Sequence, residues 1–551
     1  MVSKPTNIQP ELPVILEHVR RERAANPITP PNIYPVFGQI PAEFLNPSSA
    51  YLKLSAKSKL SFLFESASSR ETIGRFSFLG CGMGPPGGVP WLRIIIDGAP
   101  RSQKGTGHGS EVDPLTELEK ELATYRVGKI TGLSLPSMSG GAVGYVAYDC
   151  VKYFEPRTAR PLKDVIGTPE SLFMLYDTLV AFDHFYMTIK IITHIRIPEG
   201  DLIEEELKGL YEKAQMTVSE VVKTLQSTDI PLPPQPPIRK NQQYTSNVGQ
   251  EGYEGHVRDL KAHIVKGDII QAVPSQRFSR PTSLHPFNIY RHLRTVNPSP
   301  YLFYMDCKDF QLVGASPELL VKSENGRIIT HPIAGTVKRG KTREEDDGFA
   351  SELANSLKDR AEHVMLVDLA RNDINRVCDP LTTTVDRLMT VERFSHVMHL
   401  VSQVSGVLRK GMTRFDAFRS IFPAGTVSGA PKVRAMELIG ELEKERRGVY
   451  GGAVGYWGYE SDSMDTCIAL RTMMIKGGVA YLQAGGGIVH DSDPYEEWME
   501  TMNKLGANMH CITSAEEKYA SMEAEDEDSG SDMNKGYHPG TNSNVHLGDG
   551  S

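Results

Sequence analysis

The sequence predicts an α+β protein with a β-sandwich core of two antiparallel sheets flanked by helices. Its first part is rich in strand-like segments, of which the β-branched run from Trp91 to Asp97 is typical. Further along, helix-like segments alternate with short strand-like runs, without the regular βαβ order that produces a parallel sheet. In addition, the hexapeptide Gly-Gly-Ala-Val-Gly-Tyr occurs twice, at 140–145 and 451–456. Together these observations favour two packed sheets.

The individual elements follow from their residue patterns. Helical patterns extend over Glu251 to Lys266, Glu344 to Arg371 and Pro431 to Arg446, and strand-like runs include Gln311 to Val313 and Arg327 to Ile329. Aromatic-rich, strand-like sequence follows both hexapeptides, whose paired glycines let two backbones approach closely. The two copies are either unrelated buried strands or parts of two related half-structures packed face to face, and the second interpretation fits a sandwich.

Two breaks in composition divide the 551 residues, a length that suits two large lobes. Residues 226–247 contain the segment PLPPQPP, which favours an extended surface connection. Residues 515–551 are acidic and rich in Ser and Gly, and they lack the apolar surface needed for order. We therefore expect a strand-rich lobe at 1–225, a linker at 226–247, a catalytic lobe at 248–514 and a disordered tail at 515–551.

Composition and charge exclude several classes of function. Apolar residues make up 40% and charged residues 23% of the chain, and the net charge of -8 argues against a general nucleic-acid surface. No apolar run approaches the ~20 residues that span a bilayer, and the start lacks a signal-peptide pattern. The six cysteines have no CxxC spacing. We expect a cytoplasmic protein with reduced thiols that binds neither nucleic acid nor membrane.

Three charged residues near the end of the chain share one face of a predicted helix. Asp493 can cap this helix and Pro494 suits its first turn. Spacings of three and four residues bring Glu497, Glu500 and Lys504 together. A solvated helix face would have the same pattern, so the alternative is a purely structural role.

Glu362 is a second candidate carboxylate. It lies beside a predicted apolar stripe formed by Leu353, Leu357, Ala361 and Val364. A glutamate in such a place is usually a boundary residue with its head in water. Paired with Glu500, however, it would give the sparse carboxylate coordination that Mg²⁺ prefers while the ion keeps waters and substrate oxygens.

Several other segments could carry chemistry. Glu318 follows a proline turn, where it could begin a helix or act as a general acid if its pKa is raised. His399 on its own is typical of a structural histidine. The glycine-rich loop around Thr426 leads into a helix, whose free N–H groups favour an anion, and Arg471 can hold a carboxylate through two parallel hydrogen bonds. The segment from His331 to Thr336 could be an ordinary turn.

These segments occur in the order found in the chorismate-utilising enzymes, which the sequence resembles over most of residues 50 to 512. The resemblance rests on His-Pro-Ile-Ala-Gly-Thr at 331–336, Gly-Ala-Ser-Pro-Glu at 314–318, the AEH-MLVDL-RND motif around Glu362 and the E-ET-NK motif from Glu497 to Lys504. It implies the chorismate-utilising enzyme fold. It also implies roles for individual residues.

In this family the residue matching Glu318 acts as general acid on the C4 hydroxyl of chorismate, and that matching His399 serves in the aromatising loss of pyruvate. Glu362 and Glu500, with Glu497 beside them, are the implied Mg²⁺ ligands. The implied substrate contacts are Gly335, Thr336, Thr426, Tyr450, Arg471, Gly485, Gly486, Gly487 and Lys504.

Two positions indicate the anthranilate-forming branch of the family. At 334 the branch that makes aminodeoxychorismate has a lysine, which can attack the substrate covalently, whereas Ala334 cannot. At 271 the relatives that add water have a lysine base, whereas the neutral amide of Gln271 cannot deprotonate water and ammonia needs no such base. The resemblance therefore implies Mg²⁺-dependent addition of ammonia to chorismate, as the first step of tryptophan biosynthesis.

The resemblance also implies an inhibitor site and a partner. Leu-Phe-Glu-Ser at 63–66 and Asn-Pro-Ser-Pro-Tyr at 297–301 resemble the motifs that bind tryptophan in feedback-regulated members, through Glu65, Ser66, Pro300, Tyr301 and Leu302. Phe64 and Leu302 depart from the usual motif without removing a polar contact. No cysteine has the Gly-Cys-Gly setting of a glutaminase nucleophile, so a separate glutamine amidotransferase subunit is expected to supply ammonia in a hetero-oligomer.

Three alternative functions remain at this point. Aminodeoxychorismate synthase is opposed by Ala334, the tryptophan motifs and His399, and an isochorismate or salicylate synthase by Gln271. The third is a catalytically inactive tryptophan sensor or scaffold. It is opposed by the presence of all five implied catalytic and binding residues, namely Glu318, Glu362, Glu500, His399 and Arg471.

Overall fold

The structure is a computed structural model that describes residues 7–56, 58, 60–66, 74–82, 92–96, 113–200, 203–394 and 397–533. The strands that precede the proline-rich segment are β1 (Ile33–Pro41), β2 (Ser61–Glu65), β3 (Phe76–Cys81), β4 (Leu92–Ile96), β5 (Gly141–Val146), β6 (Ser171–Tyr176), β7 (Leu179–Asp183) and β8 (Thr188–Arg196). Later strands are β9 (Thr245–Ser246), β10 (Gln271–Ala272), β11 (Ser275–Pro281), β12 (Tyr301–Asp306), β13 (Gln311–Ser316), β14 (Leu319–Glu324), β15 (Arg327–Thr330), β16 (Ile333–Lys338), β17 (Thr384–Arg393), β18 (Val397–Val407), β19 (Gly429–Ala430), β20 (Ala453–Gly458), β21 (Met464–Ile468), β22 (Thr472–Lys476) and β23 (Val479–Gly485).

Most of these strands form two large antiparallel sheets. The first has the order β1-β8-β7-β3-β2-β12-β13-β22-β23-β11-β9, and the second β16-β18-β15-β14-β21-β20-β5-β6-β4, with β17 also pairing with β18. The sheets pack face to face through aromatic side chains. The ring of Phe62 lies 5.0 Å from that of Tyr176, and the ring of Phe78 lies 6.2 Å from that of Tyr456. The predicted α+β sandwich is confirmed.

Helices surround this sandwich. They are α1 (Leu12–Ala25), α2 (Pro47–Ser55), α3 (Pro114–Ala123), α4 (Val151–Phe154), α5 (Glu204–Leu225), α6 (Gly249–Val265), α7 (Pro286–Val296), α8 (Arg343–Asn355), α9 (Leu357–Asn375), α10 (Arg414–Ile421), α11 (Lys432–Glu443) and α12 (Pro494–Met533). None of the helices within the described ranges has both the length and the apolar character needed to cross a bilayer. The six cysteines are buried, free thiols.

The expected division into two lobes does not separate the sheets. The first sheet pairs β2 with β12 and the second pairs β5 with β20, so each joins strands from both sides of residues 226–247. The repeated hexapeptides lie in β5 and β20, next to each other in one sheet and with Gly144 opposite Gly455. The structure thus pairs the two copies side by side within one sheet and does not place them on opposite sheets of the sandwich. Both positions require glycine, because a Cβ atom at Gly144 would collide with the Leu172 carbonyl oxygen and one at Gly455 with that of Asp465.

The predicted helix from Glu344 to Arg371 is interrupted. Ser356 has an extended backbone with ψ of 116° and caps α9 by accepting a hydrogen bond from the Asp359 amide at 3.3 Å. Because of this interruption, Leu353 on α8 and the later residues on α9 do not share one helix face. Leu353 is buried, but Leu357 is 85% exposed and Val364 50% exposed, so the predicted apolar stripe is wrong.

Helix α12 continues past residue 515, where the sequence predicts a disordered tail. Ala515 is fully buried, and the buried Glu516 accepts two hydrogen bonds from Arg280 of β11, each 2.7 Å long. Residues 515–533 are therefore helical, so α12 overlaps the first part of the predicted tail. The acidic composition did not indicate this helix, one face of which still carries apolar residues.

Replacing Glu516 by alanine is expected to lower the free energy of unfolding by about 3 kcal/mol, because it leaves the buried Arg280 guanidinium without its partner. Urea denaturation measures this loss. Glu517→Ala is the matched control, since its neighbouring side chain is exposed. Equal stability of the two variants would contradict the role given to Glu516.

Candidate active site

Glu318 lies in the short turn between β13 and β14, and it begins a strand rather than a helix. Its carboxylate is 5% exposed and accepts hydrogen bonds from Thr426 Oγ1 at 3.1 and 3.2 Å. Thr426 belongs to the turn Gly425–Val427, which precedes α11. Burial raises the pKa of Glu318 to about 8, although the hydrogen bonds from Thr426 lower it. At neutral pH this carboxyl group is protonated and can donate a proton.

His399 lies on β18, directly opposite Thr336 of β16. Its Nδ1 is 3.0 Å from the Gly335 carbonyl oxygen and 3.0 Å from Thr336 Oγ1. Since a carbonyl can only accept, Nδ1 carries the hydrogen and Nε2 presents a lone pair. Nε2 is buried and has no partner among the described residues. Burial lowers the pKa of His399 to about 4, so the ring is neutral.

Gly335 shows why the segment from 331 to 336 needs a glycine. Its φ of 65° is in the left-handed region, which residues other than glycine rarely adopt. A Cβ atom there would lie 2.9 Å from Leu353 Cδ1 and 3.0 Å from Asp359 Oδ1. This residue introduces a bulge between Ala334 and Thr336, and the bulge brings the Gly335 carbonyl oxygen within hydrogen-bonding distance of His399.

Gln271 and Glu362 meet although they are far apart in sequence. The Gln271 amide nitrogen donates a 2.9 Å hydrogen bond to Glu362 Oε1. The amide oxygen of Gln271 is buried and has no partner among the described residues. Gly487 lies against both side chains, and a Cβ atom at that position would collide with the Gln271 amide. Burial raises the pKa of Glu362.

The first turns of α12 contribute the other charged residues. Glu497 is 7% exposed and accepts a 2.6 Å hydrogen bond from Ser492 Oγ, while its second oxygen is buried without a partner in the described part of the chain. Burial raises the pKa of Glu497. Glu500 is about half exposed and pairs with Lys504 at 2.7 Å, and the Lys504 ammonium also donates to the Gly485 carbonyl at 2.9 Å.

Arg471 and Lys504 provide positive charge to this region. Both lower the pKa of Glu318 and that of His399, so their charges act on the two groups from nearby. Arg471 has a φ of 47°, and within the described ranges its guanidinium makes no hydrogen bond or ion pair. It is therefore free to hold a carboxylate. Tyr450 is 8% exposed, and its hydroxyl lies against Gly485.

Glu362, Glu497 and Glu500 are the carboxylates available to a divalent ion in this region. Among the described residues, no group of three or more His, Cys, Asp or Glu side chains is arranged to hold a metal ion, so any such ion would take fewer protein ligands. Mg²⁺ commonly binds through one or two carboxylates and retains several waters. Burial raises the pKa of Glu362 and that of Glu497, and the charge of Glu500 raises both further. A cation would relieve that repulsion.

Of the predicted inhibitor residues, Glu65 and Leu302 lie opposite each other in the pairing of β2 with β12, and the others lie beside that end of the pairing. The Glu65 carboxylate accepts hydrogen bonds from Tyr290 Oη at 2.5 Å and from Arg294 Nε at 2.8 Å. The Tyr301 hydroxyl instead donates to Asp465 Oδ1 of the second sheet at 3.1 Å. The structure thus brings Glu65 and Leu302 together and directs the Tyr301 side chain to the other face.

Some residues that shape the site have weak sequence signals. The buried Tyr253 accepts a hydrogen bond from the Gly486 amide at 3.1 Å and donates to the Pro274 carbonyl at 3.3 Å. Nothing in the sequence around Tyr253 indicates this role. Glu443 and Arg447 form a buried ion pair at 2.7 Å, and their spacing of four residues is the one available signal.

Comparison with known proteins agrees with this geometry. The family model described as chorismate binding enzyme matches residues 90–510. The menaquinone-specific isochorismate synthase of Escherichia coli, at 17% identity and a TM-score of 0.65, covers 91% of this chain and 100% of its own and shares the fold. The chain therefore belongs to the chorismate-binding enzymes.

More similar relatives define the branch. Anthranilate synthase component 1 of Saccharomyces cerevisiae is 58% identical over 93% of this chain and 98% of its own length. The probable anthranilate synthase component 1 of Schizosaccharomyces pombe is 56% identical over 94% and 99%. The crystal structure of the Streptococcus pneumoniae component I has a TM-score of 0.67 at 36% identity and covers 85% of this chain and 99% of its own. Within its class, the chain is a member of the anthranilate synthase component 1 family.

Proposed function

We propose that this chain converts chorismate and ammonia to anthranilate and pyruvate in a Mg²⁺-dependent reaction. The observation that carries the proposal is that Arg471 and Lys504 act both on a buried, protonated Glu318 and on a neutral His399 whose Nε2 has no partner among the described residues. One group can give a proton and the other can take one. Arg471 and Lys504 supply the positive charge that a dicarboxylate substrate requires.

The proposed reaction has two steps. The nitrogen lone pair of ammonia attacks C2 of chorismate, the ring double bonds shift, and the C4–O bond breaks as Glu318 gives its proton to the leaving hydroxyl, which departs as water. The new ammonium group at C2 loses one proton to solvent. His399 Nε2 then takes the proton from C2, that electron pair completes the aromatic ring, and the C3–O bond breaks. The departing enolate takes up a proton at carbon and leaves as pyruvate. Bound Mg²⁺, held by Glu362 and Glu500 with Glu497 behind them, would offset the charge of the C1 carboxylate.

The residues at 334 and 271 support ammonia as the nucleophile. Ala334 is buried and offers no group that could attack the substrate. The Gln271 amide is committed to Glu362 and cannot act as a base towards water. Gly335, Thr336, Tyr450 and Gly485 to Gly487 would enclose the ring and its carboxylates.

A separate glutaminase subunit would supply the ammonia. All six cysteines are buried, and burial raises the pKa of Cys378 to about 11 and of Cys467 and Cys511 to about 12. Such thiols make poor nucleophiles, because the thiolate is the reactive form. This supports a hetero-oligomer in which the glutamine chemistry takes place on the partner.

The experiment that tests the proposal identifies the product formed from the purified chain, chorismate, Mg²⁺ and ammonium by mass and fluorescence. Anthranilate is expected. Aminodeoxychorismate or isochorismate would overturn the branch, and no turnover would favour a sensor or scaffold.

We also propose that tryptophan inhibits the enzyme at the β2–β12 pairing. Glu65→Gln should raise the tryptophan concentration for half-maximal inhibition about tenfold, because it removes the charge that would face the ligand ammonium. Initial rates measured against tryptophan concentration test this. Glu43→Gln, at an exposed position near α2, is the control. Unchanged sensitivity in Glu65→Gln would contradict the assignment.

A further inference from the structure

Arg447 lies on the segment between α11 and β20, next to the proposed active site. Its side chain is 2% exposed. It donates hydrogen bonds to the Val427 carbonyl at 2.8 Å, to the Val273 carbonyl at 2.6 Å, and to both oxygens of Glu443 at 2.7 and 2.8 Å. One guanidinium therefore joins three separate segments.

Two of these segments carry a residue of the proposed site. Val427 directly follows Thr426, which holds Glu318, and Val273 is two residues from Gln271. The guanidinium also lies 5.6 Å from the centre of the Tyr450 ring and 4.4 Å from that of Tyr148. Arg447 thus contacts residues that adjoin the proposed site, although Arg447 itself is not one of the proposed substrate contacts.

Glu443 extends the connection, through Ser275, to the glycine segment at 485–487. Its Oε1 accepts hydrogen bonds from the Ser275 amide at 2.7 Å and the Ser275 hydroxyl at 2.9 Å. Ser275 lies opposite Gly485 in the β11–β23 pairing, and its hydroxyl accepts a 2.8 Å hydrogen bond from Gln483. The ion pair thereby reaches the glycine segment at 485–487.

Only a guanidinium can make this set of bonds. Its N–H groups lie in one plane and point in fixed, diverging directions, so it can bind a carboxylate on one edge and carbonyls on the others. A lysine ammonium in the same space carries the charge on a single nitrogen. It would satisfy Glu443 and leave at least one of the two carbonyls without a donor.

We propose that Arg447 is a positioning residue that holds Thr426 in place and thereby sets the proton affinity of Glu318. The catalytic consequence of this inference rests on the proposed function. The effect of Arg447 on the ionisation of Glu318, by contrast, can be measured without turnover. If the Thr426 loop relaxes, the two hydrogen bonds to Glu318 weaken. Because those bonds favour the charged carboxylate, their loss makes the carboxyl group harder to ionise.

The test is an infrared titration of the Glu318 carboxyl in the full chain, with the spectrum of Glu318→Gln subtracted. Arg447→Lys should move the titration to higher pH, in the same direction as Thr426→Val. In the Thr426→Val background, Arg447→Lys should cause no further shift. In the ammonium assay, kcat of Arg447→Lys should fall about 10- to 100-fold, as expected for a displaced catalytic group.

The matched control is Arg280→Lys. Arg280 is equally buried and also binds a carboxylate through two hydrogen bonds, but its contacts lie on Glu516 of α12 and on Gln242. This variant should lose stability and leave the Glu318 titration unchanged. Should Arg447→Lys fail to fold, Glu443→Gln weakens the same ion pair while it keeps the side-chain shape, and it should produce the same shift.

An unchanged Glu318 titration in folded Arg447→Lys or Glu443→Gln would overturn the positioning role, whatever the activity. An additional shift in the Thr426→Val background would overturn it too, because the effect would then bypass Thr426. The absence of anthranilate from the wild-type chain would instead refute the proposed function and leave the titration result standing. The two failures are therefore distinguishable.

Discussion

Replacing Glu318 by glutamine should lower kcat with chorismate and ammonium about 1000-fold, the scale expected when a general acid is removed. Glutamine fills the same volume and can still accept a hydrogen bond from Thr426, so the loss reports the missing proton rather than a cavity. The measurement is the initial rate of anthranilate formation at saturating Mg²⁺. Glu324→Gln, on the same strand with a side chain 42% exposed, is the control.

The expected pH dependence of the rate follows from the direction in which the pKa of Glu318 is shifted. Burial raises the pKa of Glu318 to about 8, so the acid form dominates at neutral pH and is lost as the pH rises through that value. The wild-type rate should therefore fall on the alkaline side of pH 8, after correction for the fraction of free ammonia. A rate in Glu318→Gln within tenfold of the wild type, or no such alkaline fall, would rule out Glu318 as the acid.

The second large effect is expected at the carboxylates. Glu500→Ala should raise the Mg²⁺ concentration for the half-maximal rate about 100-fold, because one of two ligands is lost and the remaining Glu362 is already bonded to Gln271. Rates are measured against free Mg²⁺ with chelator-treated protein, and calorimetry of Mg²⁺ binding provides a readout without turnover.

Glu496→Ala is the control for this experiment. Glu496 lies in the same turn of α12, but its side chain points to solvent. It should leave both the binding isotherm and the Mg²⁺ dependence unchanged. Full activity of the wild-type chain in excess chelator would show that the carboxylates serve another purpose.

Much of the site could be predicted because its chemistry is local in sequence. The glycine at 335 and the histidine at 399 lie on paired strands, and both stand in motifs of recognisable residue types. The i, i+4 spacing brought Glu500 and Lys504 together, as the structure has them. Short-range rules suffice where a turn or a helix face defines the geometry.

The remaining features depend on contacts that sequence spacing does not encode. Gln271 meets Glu362 across a fold, and the break at Ser356 changes which face of α9 is buried. The acidic composition after residue 515 concealed the contact of Glu516 with Arg280. The contacts of Gln271 and Glu516 are tertiary, whereas the break at Ser356 is a local helix cap that the apolar pattern did not reveal.

The sharing of both sheets between the two halves of the chain affects how the protein is made. β5 must wait for β20, which is synthesised roughly 300 residues later, an interval of about 15 to 60 s at ordinary translation rates. Until then β5 and β2 present open edges, which are the usual starting points of aggregation. Neither half can complete its sheets alone, and a chaperone that shields the early strands during translation should raise the yield of folded protein.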